Sequence, residues 1–131
     1  MTKFETKSIS ALYLKKVDRE EAKLNKMKEV TVKELNGLMA SNADFKLIDV
    51  REQNEFEIAE IGGELIPMNS VPQNVDKFPK DKQVIVHCRS GKRSGDVINW
   101  LEANHGFENL YNLKGGILAW ADEIDPSVQK Y

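Results

Sequence analysis

One cysteine, Cys88, is all that the 131 residues contain. No internal disulfide can form, and a multi-cysteine zinc site is excluded with it. The two histidines, His87 and His105, are far apart in sequence and offer no metal-ligating pair. No apolar run is long enough to span a membrane. Near the start, Ile9-Ser10-Ala11-Leu12-Tyr13-Leu14 is too short and broken for a signal-peptide core, and charged residues follow at once. The cytoplasm is the expected compartment, where a lone thiol stays reduced. A net charge of -2 provides no strong field of either sign, so neither nucleic acid nor a membrane is expected as a partner. Repeats and low-complexity segments are also missing.

What is present suits one compact domain. Hydrophobic residues make up 40% and charged residues 31%, enough for a core under an ordinary surface. The charge is unevenly spread. Residues 1–28 carry eight Lys/Arg against four Asp/Glu, whereas residues 29–131 carry eleven against seventeen. The first segment is read as a basic N-terminal extension. Val17, Leu24 and Met27 share one face of a helix starting near Leu14, suited to an arm, a dimer element or a tail. Residues 29–131 are the domain. Three of its eleven cations, Arg89, Lys92 and Arg93, fall within five residues, a positive locus suited to a small anion.

Strand and helix signals alternate from residue 29, which predicts an α/β layered domain with a largely parallel sheet. Thr31-Val32-Lys33-Glu34 has the form of a capping box and opens a helix through about Met39. Phe45 to Val50 is a strand. A short helix from Gln53 to Ala59 closes at Gly62-Gly63, and Leu65 to Met68 is a brief edge strand carrying Pro67. Pro72 is placed in the first turn of a small helix through Phe78. Val84-Ile85-Val86 is uninterruptedly apolar, the mark of a strand buried on both faces at the sheet centre. A helix over Ser94 to Asn104, a strand over Leu110 to Leu113, a turn at Lys114-Gly115-Gly116 and a helix over Ile117 to Ile124 complete the order. Trp100 and Trp120, on helices with apolar neighbours, are expected in the core.

The chemistry concentrates in Val84 to Ser94. A buried strand ends, Cys88 follows, a loop containing Gly91 turns, and a helix begins. Sites in open α/β sheets form at the carboxyl ends of strands. N–H groups of such a loop can converge into an anion nest, reinforced by the helix dipole. Unpaired cysteine is by default a small buried hydrophobe, but a core cysteine needs no cationic, glycine-containing loop. That setting favours the thiolate, the nucleophilic form. His87 faces the opposite way in an extended strand and is read as structural. His105 complements a helix C-terminus.

Cysteine phosphatases place five residues between Cys and Arg. Here four separate Cys88 from Arg93, and Ser94 stands where that arginine belongs. The loop is one residue short for a phosphoryl group. Its length, together with Leu47-Ile48-Asp49-Val50-Arg51-Glu52, Glu55-Phe56 and Leu113-Lys114-Gly115-Gly116-Ile117-Leu118-Ala119-Trp120, resembles the single-domain rhodanese sulfurtransferases over about residues 29–125. The stretch from Ala119 to Tyr131 is similar to the rhodanese domains of adenylyltransferase/sulfurtransferase fusions.

This resemblance implies a three-layer α/β/α fold with about five mostly parallel strands. It implies that Cys88 carries sulfane sulfur as a persulfide, with Arg89, Ser90, Gly91, Lys92, Arg93 and Ser94 binding substrate. Arg93 or Lys92 would attract donor oxygens, and Asp49 with Arg51 would brace the site. No metal or organic cofactor is implied. The expected partners are a sulfur donor, such as thiosulfate or a protein persulfide, a thiol or cyanide acceptor, and a protein of a sulfur relay. One departure stands out: Ala59-Glu60-Ile61-Gly62-Gly63-Glu64 replaces the family's Gly-His-Ile segment, so Glu60 stands for the usual histidine.

Overall fold

The structure, a computed structural model, describes residues 27–131. The helix suggested between Leu14 and Met27 therefore lies outside the described residues, save for Met27 itself. Among these residues five parallel strands form one sheet: β1 (Glu29–Val30), β2 (Phe45–Asp49), β3 (Glu64–Leu65), β4 (Gln83–His87) and β5 (Leu110–Leu113), in the order β1-β5-β4-β2-β3. Among the described residues four α-helices accompany it: α1 (Val32–Ala40), α2 (Gln53–Ile58), α3 (Lys92–His105) and α4 (Gly116–Glu123). None of the described helices is long and apolar enough to cross a membrane.

The central place of β4 follows from its residues. Val84, Ile85 and Val86 are fully buried, and only a strand covered on both faces can hide three consecutive apolar side chains. Alternation sends Val84, Val86 and Cys88 to one face, where they pack with Val97, Ile98 and Leu101 of α3 and with Val71 and Phe78. Ile85 points to the other face, against Val32 and Leu35 of α1 and Trp120 of α4. Two cores separated by one sheet give the three layers expected.

At the start of α1, Thr31 accepts from the Glu34 N–H while Glu34 accepts from the Thr31 N–H, at 3.0 and 2.8 Å. This reciprocal cap contributes about 1 kcal/mol.

Several boundaries differ from the sequence reading. Strand β1 was not anticipated, since two residues carry no periodicity; it is defined by pairing with β5. Helix α2 stops at Ile58 with Ala59 extended, so Gly62-Gly63 does not close it. Gly62, at φ 97°, instead turns the chain into β3. A Cβ on Gly63 would lie 3.2 Å from Leu47 Cγ, so its absence lets β3 lie close to β2. Strand β3 ends at Leu65 because Pro67 has no N–H to donate, although Ile66 and Met68 still donate to Asp49 and Val50 at 2.8 and 3.0 Å. The predicted helix after it is two 3₁₀ segments, Met68–Gln73 and Val75–Lys77, with Pro72 inside the first.

Candidate active site around Cys88

Cys88 leaves the carboxyl end of the central strand, and three residues later the chain must reverse into α3. Gly91 makes that reversal at φ 111°, a left-handed conformation that is cheap for glycine and strained for other residues. Helix α3 begins at Lys92, two residues earlier than predicted. Its first N–H groups have no helical carbonyl to bond, and the Cys88 sulfur takes one of them. Sγ lies 3.1 Å from the Gly91 nitrogen and 3.4 Å from the Ser94 nitrogen, accepting from both. The Ser94 hydroxyl lies 3.3 Å away. The cysteine is 1% exposed. Burial pushes the thiol up, but the hydrogen bonds that the Ser94 hydroxyl, the Ser94 and Gly91 N–H groups and the Ser90 main chain can give an ionised sulfur outweigh it. The thiol is held below its ordinary value.

Two supports fix the loop from behind. The Ser94 hydroxyl donates to Asn112 Oδ1 at 2.6 Å, and Asn112 Nδ2 donates to the Gly91 carbonyl at 3.0 Å. The Gly115-Gly116 turn packs against the loop backbone, with Ile117 and Leu118 donating to the Cys88 and Arg89 carbonyls at 3.0 and 3.2 Å. At Gly116, φ is 61°, and a Cβ there would lie 2.7 Å from the Cys88 carbonyl oxygen.

The cations are more engaged than their sequence clustering suggests. Arg93 forms a two-point pair with Glu55, and Lys92 an exposed pair with Asp96 at 2.9 Å. The Arg93 guanidinium holds the Glu55 carboxyl down to about 2. Exposed Arg89 lies with its guanidinium carbon 5.1 Å from the Tyr131 ring centroid and donates to the Tyr131 main-chain oxygen. Ser90 is exposed beside it.

Asp49 and Arg51 meet as a fully buried pair. Arg51 Nη2 is 2.7 Å from Asp49 Oδ2 and Nε is 2.9 Å from Oδ1. Arg51 also donates to the Ala59 and Glu55 carbonyls and to the Tyr131 hydroxyl, so one guanidinium ties β2 to both ends of α2. Beside it, His87 is fully buried, its Nε2 without a hydrogen-bond partner among the described residues and 3.6 Å from Asp49 Oδ2. Burial lowers its affinity for a proton, an effect that nearby Asp49 only opposes. His87 sits on the sheet face opposite Cys88, as expected.

Glu60 is exposed and accepts from the Gly62 N–H at 2.6 Å. Trp120 is buried, but Trp100 is 37% exposed, a correction to its expected place in the core. It walls a groove of about 320 Å³ with Met68, Pro72 and Val97, and its ring lies 5.0 Å from that of His105.

Three residues at the site were not singled out in the sequence. Asn112 is a polar interruption in the apolar run Leu110 to Leu113, which was a usable signal. Glu55 entered only as part of a motif block. Tyr131 carried no signal, because its contacts with Arg51 and Glu55 span 80 and 76 residues of chain.

A rhodanese-like domain profile matches residues 31–123. A sulfurtransferase of Allochromatium vinosum is 35% identical over 94 residues, covering 71% of this chain and 87% of that one. The probable adenylyltransferase/sulfurtransferase MoeZ of Mycobacterium tuberculosis is 32% identical over 105 residues, which is 78% of this chain but 26% of that protein. The chain thus spans between about a quarter and two-fifths of the length of several longer curated relatives. Among solved structures, a rhodanese-like domain protein from Staphylococcus aureus superposes with a TM-score of 0.68 at 32% identity, covering 80% of this chain and 99% of that one. With a matching profile across most of the chain and the loop geometry at Cys88, the protein belongs to the rhodanese-like family.

Proposed function

We propose that the protein is a sulfurtransferase that carries one sulfane sulfur as a persulfide on Cys88. The observation that carries this reading is the sulfur itself, buried yet accepting from the Gly91 and Ser94 N–H groups at the positive end of α3. Such a site stabilises an anion on sulfur and asks for no metal or organic cofactor.

In the first step the Cys88 thiolate attacks the outer sulfur of a donor such as thiosulfate. The new S–S bond forms as the old one breaks, and sulfite departs with the bonding pair. In the second, an acceptor thiolate or cyanide attacks the outer sulfur of the persulfide, and the Cys88 thiolate is regenerated. Electrons balance without an external oxidant. A protein persulfide can serve as donor in the same way. The loop from Arg89 to Ser94 binds the transferred sulfur and the donor, with Arg89 at the exposed rim and Arg93 paired with Glu55. Asp49 and Arg51 brace the adjoining strand end. Because Cys88 must remain reduced between turnovers, a reducing compartment such as the cytoplasm suits the reaction. By likeness to MoeZ, named as an adenylyltransferase/sulfurtransferase, a protein of a sulfur relay is the natural partner.

Incubation with thiosulfate should add one sulfur atom to Cys88 by intact-mass analysis, and cyanide should remove it as thiocyanate. Unchanged turnover in Cys88→Ser protein would refute the reading.

A further inference from the structure

Between Cys88 and strand β5 lies a chain of hydrogen bonds that is one hydrogen short once the Cys88 thiol ionises. The Gly91 carbonyl can only accept, so the Asn112 amide must present its NH₂ there, at 3.0 Å. Asn112 Oδ1 is thereby turned to Ser94, whose hydroxyl donates to it at 2.6 Å. That hydroxyl owns a single hydrogen, and its oxygen lies 3.3 Å from Cys88 Sγ. With Cys88 as a thiol, every group is satisfied: S–H donates to Ser94, and Ser94 donates to Asn112. Once the proton leaves, the sulfur becomes an acceptor, and the Ser94 hydroxyl can serve the sulfur or Asn112 but not both. Asn112 is 5% exposed, so water replaces the lost hydrogen poorly.

We propose that Asn112 is a positioning residue that restrains the ionisation of Cys88 by competing with its sulfur for the one hydroxyl hydrogen of Ser94. The role rests on the sulfur-transfer reading of Cys88. Asn112 favours the thiol, while the Gly91 and Ser94 N–H groups favour the thiolate. Sulfur release regenerates a thiolate, and the amide draws the hydroxyl back as that thiolate takes up a proton.

Among the described residues, the charged and titratable groups on the elements that adjoin Cys88 are Arg89 on the loop, Lys92 and Arg93 on α3 with partners Asp96 and Glu55, His87 on β4, and the Asp49–Arg51 pair at the end of β2. From β5 the facing residue is Asn112, which is uncharged. Substitutions at 112 by an uncharged residue therefore change the competition and leave these charges in place.

The test follows thiolate absorbance and iodoacetamide alkylation of Cys88 against pH. Asn112→Leu keeps the side chain's size and removes the acceptor. It should move the ionisation midpoint down and raise alkylation below that midpoint roughly three- to tenfold. In Ser94→Ala protein the same substitution should leave the midpoint unmoved, since no hydroxyl remains to compete for. An unchanged or raised midpoint in Asn112→Leu, or an equal drop with alanine at 94, overturns the proposal. If Asn112→Leu does not fold, Asn112→Asp tests it with the sign inverted. The midpoint then rises more with Ser94 present than with alanine there, and an equal rise overturns the role. Persulfide formation from thiosulfate is scored on the same proteins. A parent that forms none, while Asn112→Leu still lowers the midpoint, sinks sulfur transfer and leaves the competition standing.

Discussion

Arg93 and Glu55 face each other in a two-point pair, Nη1 to Oε1 at 2.7 Å and Nη2 to Oε2 at 2.8 Å. The pair clamps the first turn of α3 to α2 across the site, and the Tyr131 hydroxyl and the Glu52 N–H add two further donors to Glu55, each at 2.9 Å. The carboxyl is pulled from 4.5 to about 2. A carboxyl with a depressed folded value contributes stability that is present above pH 4.5 and is lost as pH falls towards 2. With Arg93 partly exposed, solvent screening leaves about 1–2 kcal/mol. Urea midpoints measured across that window should fall with acid in the parent and fall less in Glu55→Gln. Parallel curves would show that the pair contributes nothing.

Arg51 donates to five oxygen atoms in a setting closed to water. Arg51→Met should cost about 3–5 kcal/mol, because it strands the Asp49 carboxylate without its counter-charge. The double variant Asp49→Leu/Arg51→Met should be less unstable than the single one. Chemical denaturation of the parent, both single variants and the double variant decides this, and additive losses would argue against a coupled pair.

Local rules and alternation made much of this legible in the sequence. The capping box at Thr31 and Glu34, the doubly buried β4 and the thiol loop all follow from residues close in the chain. What escaped depended on distance. Strand β1 exists because β5 offers it an edge, and Tyr131 reaches Arg51 only after the whole domain has folded. The cluster Arg89, Lys92 and Arg93 read as an open cationic patch because nothing nearby in sequence announces that Glu55, 38 residues away, engages Arg93. Trp100 misled for a similar reason. Helical spacing marks an apolar residue without showing whether the facing layer covers it.

Two glycines should respond oppositely to alanine. Gly116 is at φ 61°, with the Cys88 and Arg89 carbonyls where a Cβ would go. Gly116→Ala should cost at least about 2 kcal/mol through strain and overpacking, and should slow sulfur loading by shifting the loop. Gly37, exposed within α1 with nothing among the described residues within 4 Å of a Cβ, should gain about 0.5–1 kcal/mol on the same change. Thermal unfolding of both variants is the check, and losses of similar size would contradict the packing described at Gly116.

The Cys88 thiol links stability to pH on the alkaline side. Its value is lowered from 9.0 in the folded chain, with the hydrogen bonds to sulfur outweighing burial. Folding therefore favours the ionised form, and the stabilisation is complete above pH 9, where the unfolded thiol also ionises. It declines as pH drops through the lower, folded value. Other groups titrate in this range, so the informative quantity is a difference. Cys88→Ser removes the titration and retains a small polar side chain in the same nest. From pH 7 to pH 9.5, about the span in which an ordinary thiol ionises, the parent should gain denaturation midpoint relative to Cys88→Ser. If the gap between the two proteins stays constant or narrows with rising pH, the sulfur is not held as an anion by its neighbours.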